Sequence, residues 1–132
     1  MVRTVDTRFF LTLLLIDDEA LKQKVKTKMI ELRKESAIVP TIVIHEVYKF
    51  EYQRLGKVTA DIDVRTIENA GFKIIDLNTG IAKTAATLRC RLSNLPTADS
   101  IIAATAIEQK SYLVFSDDEH FSKIKEIDAE WL

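Results

Sequence analysis

Apolar residues in this chain fall into short β-branched runs separated by longer stretches with helical spacing, and that alternation predicts an α/β domain with a mostly parallel sheet. Val2 to Asp6 reads as a first strand with Asp6 at its carboxyl end, and Thr7 to Ile16 as a short apolar helix. From Ala20 to Glu35 the apolar positions Leu21, Val25, Met29 and Leu32 form the stripe of a surface helix that Asp17 or Asp18 caps. Its Lys22, Lys24, Lys26, Lys28, Arg33 and Lys34 read as a solvated face, with a hold on nucleic-acid phosphates as the alternative. Ala37 to Val39 is a second strand closed by Pro40; Thr41 caps a helix from about Ile42 to Leu55, ended by Gly56. Val58 to Ala70 is a further helix, stopped by Gly71, and Phe72 to Ile75 a third strand. Asn78 or Thr79 opens a helix to about Leu92, Tyr112 to Phe115 is a fourth strand, and an edge strand is expected near Glu126 to Ala129.

One stretch departs from the amphipathic pattern. In Leu95 to Gln109, LPTADSIIAATAIEQ, Pro96 breaks the preceding helix and Thr97 is the expected cap of the next. From Ile101 to Ile107 almost every residue is apolar or small, so this helix has no wet face and must be buried. Asp99 nevertheless sits in its first turn. An acid there complements the helix dipole, worth typically about 0.3–1 kcal/mol; a carboxylate fixed at the mouth of a buried helix can equally serve as a metal ligand. Glu46 poses a similar question, because Val43, Ile44, Val47, Tyr48, Phe50 and Leu55 surround it with core-forming neighbours.

Composition narrows the class. With 132 residues, 47% hydrophobic and 30% charged, the chain is expected to be one domain, residues 1–132, with a single core. No internal repeat or low-complexity segment interrupts it. Cys90 stands alone, which excludes an internal disulfide and a thiolate zinc site and makes the reducing cytoplasm the expected location. Leu11 to Ile16 is too short and too close to Asp6, Asp17 and Asp18 for a signal peptide, and no apolar run is long enough to span a membrane. The net charge of −1 gives no general basic field, so any nucleic acid must be held by local patches or through metal-bridged phosphates. Only three Asn and three Gln occur beside abundant Lys, Glu and Ile, a balance compatible with heat adaptation.

In parallel sheets, ligands bind outside the carboxyl ends of the strands near the point where strand order reverses. Asp6 and the Ser116 to Asp118 turn fall at that edge, and right-handed crossovers bring the helix starts bearing Glu46 and Asp99 to the same rim. Singly, Asp6 reads as a turn former, Glu46 as a surface acid, Asp99 as a dipole complement and Asp118 as a cap. Together, desolvated carboxylates repel, and a divalent cation removes that cost. All-oxygen ligation favours Mg²⁺ or Mn²⁺ over zinc. On the same grounds His45 is a packing or surface residue, His120 steadies its turn, Cys90 is a spectator, and Trp131 and Leu132 either cover a core edge or enter a dimer contact.

The ordered set VDTRFF at 5–10, TIVIHEV at 41–47, ADSIIAATA at 98–106 and FSDDEHF at 115–121 resembles the four motifs of PIN-domain nucleases, spread over essentially the whole chain. The resemblance implies a three-layer α/β/α fold with a central, mostly parallel sheet of four to five strands. It also implies an acidic pocket that binds Mg²⁺ or Mn²⁺ for hydrolysis of RNA. Position by position, Asp6, Glu46, Asp99 and Asp118 match the family's acids, with Asp6, Asp99 and Asp118 as metal ligands and Glu46 orienting water or completing the shell around them. Thr7 matches the hydroxyl residue after the first acid, and Ser116 the Ser or Thr two places before the last. Asp117 falls on a variable position as a reserve ligand. Arg8 stands where many members carry Asn or Ser, in a phosphate-binding or ion-pairing role. Small size looks most like the toxin of VapBC-type toxin–antitoxin pairs, which implies an antitoxin partner and a homodimer. A catalytically weak PIN module serving as an RNA-binding or assembly scaffold is the second reading. Phosphoryl transfer of the haloacid dehalogenase type is disfavoured, because Arg8 occupies the place of its second acid.

Overall fold

A computed structural model describes residues 2–132. Five strands form one parallel sheet: β1 (Arg3–Val5), β2 (Ile38–Pro40), β3 (Lys73–Ile75), β4 (Leu113–Phe115) and β5 (Asp128–Glu130), in the order β3-β2-β1-β4-β5. The six helices are α1 (Thr7–Leu15), α2 (Glu19–Lys34), α3 (Thr41–Leu55), α4 (Lys57–Glu68), α5 (Thr79–Arg91) and α6 (Thr97–Glu108). Strand order runs outward from β1 through β2 to β3, then returns to place β4 on the other side of β1. Right-handed crossovers therefore put the helices of the two halves on opposite faces, giving three layers. The order reverses between β1 and β4. Asp6 directly follows β1, and Ser116 to Asp118 directly follow β4, so the edge predicted to carry chemistry is the switch point.

Each strand has only three residues, so the sheet depends on what packs against it. Phe9, Phe10, Phe115 and Phe121 are fully buried. Phe9 meets Phe10 and Phe115 edge-on with centroids 5.4 Å apart in both pairs, and Phe10 meets Phe72 at 5.6 Å. Such edge-to-face pairs add to the area-based gain of burial. Trp131, partly buried, stacks at 33° on Phe115 with centroids 5.1 Å apart and covers the core edge beside β5. At the opposite end of β1, Arg3 joins three elements. Its guanidinium bonds Glu35 after α2 and Glu130 of β5, the latter at 2.7 Å, while its backbone N–H donates to Glu35 at 2.9 Å.

Helix starts follow the sequence in part. Asp18 accepts from the Leu21 N–H at 3.1 Å and Asn78 from the Ile81 N–H at 2.9 Å, which decides both open choices. Thr41 and Thr97 do not cap. Each is the first residue inside its helix, and Pro40 and Pro96 hold the capping positions. Proline fixes the extended φ that the cap position needs, so the chain enters the helix one residue earlier than the hydroxyl signal suggests. Freed from capping, the Thr41 hydroxyl accepts from the Leu77 N–H at 3.3 Å and ties α3 to the end of β3. Gly56, at φ +89°, serves as the hinge between α3 and α4, a conformation other residues adopt only under strain. α6 is as buried as its sequence predicts, with Ser100, Ile102, Ala103, Ala104, Thr105 and Ala106 inaccessible. Among the described residues, no helix is long and apolar enough to cross a membrane.

Candidate active site

Asp6 leaves β1 at the centre of the sheet and is 2% exposed. Burial pushes its carboxyl up to about 6, against hydrogen bonds from Ser116 and the Thr7 N–H that favour the ionised form and with added repulsion from Glu46 and Asp118. The Ser116 hydroxyl donates to Asp6 Oδ2 at 2.6 Å and itself accepts from the Asp118 N–H at 3.0 Å. One hydroxyl thus ties the β1 acid to the β4 turn. Thr7, the first residue of α1, is also buried, and its hydroxyl donates to Glu46 Oε1 at 2.6 Å. Glu46 thereby finds the partner that its apolar neighbours leave wanting.

Asp99, in the first turn of α6, is half-buried. Desolvation raises its carboxyl to about 7, helped by repulsion from Asp118, Asp6 and Glu46 and opposed by His120. These mutual repulsions mark Asp6, Glu46, Asp99 and Asp118 as near neighbours. Among them the spacing is uneven. Asp99, Asp118 and His120 each offer one ligand atom, and these lie within 4.8 Å of one another; among the described residues no other such group occurs. Asp6 and Glu46 fall outside that group, held by Ser116 and Thr7. His120 is the member that sequence reasoning assigns only to its turn. Its backbone N–H does brace that turn, donating to Asp118 Oδ1 at 2.9 Å, while ring Nδ1 lies 2.7 Å from the same oxygen and 3.2 Å from Asp99 Oδ2. The available signal was its position two residues after the last acid.

The two remaining candidates meet each other. Arg8 forms an exposed two-point ion pair with Asp117, with Nη2 donating to Oδ2 at 3.2 Å. Asp117 is therefore engaged at the rim, and the ion-pairing alternative for Arg8 is the one the structure displays. Two hollows flank the acids. One, of about 340 Å³, is bordered by Glu46, His45, Lys49 and Phe50; the other, of about 230 Å³, by His120, Asn94 and Lys123. Arg54 lies over the Phe50 ring, 4.5 Å from its centroid. His45 and Cys90 are exposed and contribute nothing to the acid cluster itself.

A second unusual carboxylate lies outside the cluster. Glu51 of α3 is fully buried with both oxygens lacking a donor. Burial, and then the neighbouring Asp63 of α4, push its carboxyl up to about 8. It occupies the position four residues beyond Val47 on the buried face of α3, where burial favours the protonated form.

No curated protein matches the chain in sequence. Among solved structures it is similar to a chain of VapBC2 from Rickettsia felis bound to a promoter DNA fragment, with TM-score 0.81 and 16% identity over 99% of this chain and 98% of that one. It is similar to a chain of FitAcB from Neisseria gonorrhoeae, with TM-score 0.74 and 20% identity over 98% and 96%. It also resembles VapC20 of Mycobacterium tuberculosis, a sarcin–ricin loop cleaving toxin, with TM-score 0.74 and 15% identity over 90% and 92%. At these identities the likeness is one of fold. The PIN domain family matches residues 4–127, which takes in all four acidic motifs, and the chain belongs to the PIN-domain family.

Proposed function

We propose that this chain is a metal-dependent endoribonuclease that hydrolyses RNA phosphodiester bonds and acts as the toxin of a VapBC-type pair. The observation that carries the reading is the convergence of four carboxylates at the switch point, with Asp6 and Asp99 raised toward neutrality by burial and mutual repulsion. Carboxylates arranged at such a cost have a use for a divalent ion, and oxygen donors suit Mg²⁺ or Mn²⁺. Asp6, Asp99 and Asp118 are the residues that would hold it. When bound, the ion supplies Lewis acidity toward the phosphodiester and lowers the pKa of water.

The chain's own residues do the positioning. Ser116 fixes the rotation of Asp6 and couples it to the Asp118 turn, so that neither carboxylate has to be ordered when substrate arrives. Thr7 occupies Glu46 Oε1, leaving Oε2 to orient an attacking water. Lys49 and Phe50 on one flank, and Lys123 on the other, offer a cation and a stacking surface to an RNA strand crossing the acids. The Rickettsia felis neighbour comes from a VapBC complex, which supports an antitoxin partner for this chain; a homodimer is proposed from the family resemblance alone.

The test is cleavage of a structured RNA by the full chain with Mn²⁺ or Mg²⁺. Asp6→Asn is expected to lower the rate by at least about 100-fold, the scale on which a preorganised charge at a reacting centre acts. Unchanged metal-dependent cleavage by that variant refutes the assignment. The scaffold reading draws on the Arg8–Asp117 ion pair at the rim, and absence of Mg²⁺ or Mn²⁺ binding at millimolar concentration would favour it. A neighbouring reading frame encoding a small DNA-binding protein that protects cells on co-expression would support the toxin assignment.

A further inference from the structure

We propose that His120 is itself a metal ligand, completing a site with Asp99 and Asp118, and that its nitrogen makes this site prefer Mn²⁺ to Mg²⁺. The inference rests on the nuclease reading above and sharpens it. His120 Nδ1 is 2.7 Å from Asp118 Oδ1 and 3.2 Å from Asp99 Oδ2. Adjacent ligands of an octahedral ion with bonds of about 2.1 Å stand about 3 Å apart, and the two spacings bracket that value. The three side chains come from α6 and from the turn after β4, so the contact joins elements that are distant in sequence.

A bracing role does not account for this placement. Asp118 Oδ1 already accepts the His120 N–H at 2.9 Å, and the Asp118 N–H is already bonded to Ser116. The backbone already holds the turn, so the imidazole's contacts with both Asp118 Oδ1 and Asp99 Oδ2 go beyond what the turn requires. Ligation uses the Nδ1 lone pair, and the ion would sit between that nitrogen and the two carboxylates. Mg²⁺ is a hard ion that takes oxygen and water, whereas affinity for nitrogen rises from Mn²⁺ onward along the first transition row. An imidazole beside two carboxylates thus adds affinity for Mn²⁺ and little for Mg²⁺. Asp6 and Glu46, outside that group of three, supply only oxygen.

The test titrates the metal-free full chain with MnCl₂ and MgCl₂ by calorimetry and records electron spin echo modulation from bound Mn²⁺. The wild type is expected to show directly coordinated ¹⁴N. In His120→Ala that signal should vanish, with Mn²⁺ affinity falling about tenfold and Mg²⁺ affinity changing less than about twofold. His120→Gln, which keeps a side chain of similar reach without the imidazole, should behave like His120→Ala. Mn²⁺ binding without nitrogen coupling, or equal weakening of both ions, overturns the proposal and leaves the carboxylate site intact. Failure of the wild type to bind either ion at millimolar concentration overturns both.

Discussion

Replacing Asp6 by Asn should make the metal-free protein more stable, and more so as pH rises. Asp6 is buried and its carboxyl stands at about 6 instead of the usual 3.8. A carboxyl whose pKa is higher in the folded state binds its proton more tightly there than in the unfolded chain. Its contribution to stability is fully present below about pH 4 and is lost as pH rises through about 6. The gap between 3.8 and about 6 corresponds to about 3 kcal/mol, taking about 1.4 kcal/mol for each tenfold change in proton affinity. Asn cannot ionise and does not suffer that loss. Relief of the repulsion that helps raise Asp99 acts in the same direction.

The amide has one acceptor oxygen, so for the Thr7 N–H to keep its partner the Ser116 hydroxyl must turn from donor to acceptor, at a cost of about 1 kcal/mol that does not depend on pH. The quantity to measure is therefore a double difference: urea unfolding of wild type and Asp6→Asn in chelator, at about pH 4 and about pH 8. The advantage of the variant should grow by about 2–3 kcal/mol between the two. For a chain of this size that moves relative melting temperatures by roughly 6–12 °C. Saturating Mn²⁺ should reverse the order at pH 8, because an ion that binds only the folded wild type stabilises it in proportion to the logarithm of its concentration over Kd. A difference between the two proteins that is the same at both pH values refutes the reasoning that burial, and not a lost contact, sets the state of Asp6.

Three further outcomes follow from the same contacts. Ser116→Ala removes the donor to Asp6 and the acceptor for the Asp118 N–H, and should cost about 1–3 kcal/mol in urea unfolding while moving the Asp6 carboxyl still higher in a ¹³C NMR titration. Wild-type melting temperature should fall as pH rises from about 4.5 to about 8, where the unfolded chain has released the Glu51 proton that the folded chain still holds beside Asp63, and should level off above; Glu51→Gln should flatten that limb, and an unchanged pH profile would count against a protonated Glu51. Arg3→Ala, which strands Glu35 and Glu130 in a half-buried network, should destabilise by about 2–4 kcal/mol, whereas Arg8→Ala at the exposed Asp117 pair should change stability by under about 1 kcal/mol.

The elements were legible because their signals are local. β-branched triplets, helical spacing and turn residues place every strand and helix to within a few residues. Capping was misjudged at Thr41 and Thr97, where a hydroxyl after proline looks like a cap but the proline already supplies the cap's backbone angle. Strand order is not local; only the pairing of β4 with β1 on the side away from β2 creates the switch point. The apolar run of α3 flagged a charge in the wrong surroundings, and it attached that oddity to Glu46. Continuing the buried face by four residues from Val47 leads to Glu51, whereas Glu46 is rescued by Thr7, a residue 39 positions away whose approach no periodicity reveals. His120 was hidden for a similar reason. Its second contact, with Asp99, exists only once α6 and the β4 turn are brought together.

These long-range contacts also explain why the site is borne by α6. Asp99 keeps its carboxyl near Asp118 and Asp6 although burial and repulsion oppose it, and a flexible segment would relax by swinging the acid into water. α6 cannot move, because Ile102, Ala103, Ala104 and Ala106 are fully buried along its length and the Ser100 and Thr105 hydroxyls are turned inward onto its own carbonyls. Shifting the helix by even part of a turn would expose apolar surface worth about 25 cal/mol per Å². Small residues in this helix let it approach the sheet closely, and the same closeness desolvates Asp99. The apolar body and the raised carboxyl are thus two results of one packing arrangement. Substituting Ala103 by Leu, which overfills that contact, should displace Asp99 and weaken Mn²⁺ binding in calorimetry without altering any acidic residue; unchanged affinity in a folded variant would show that the helix does not set the site.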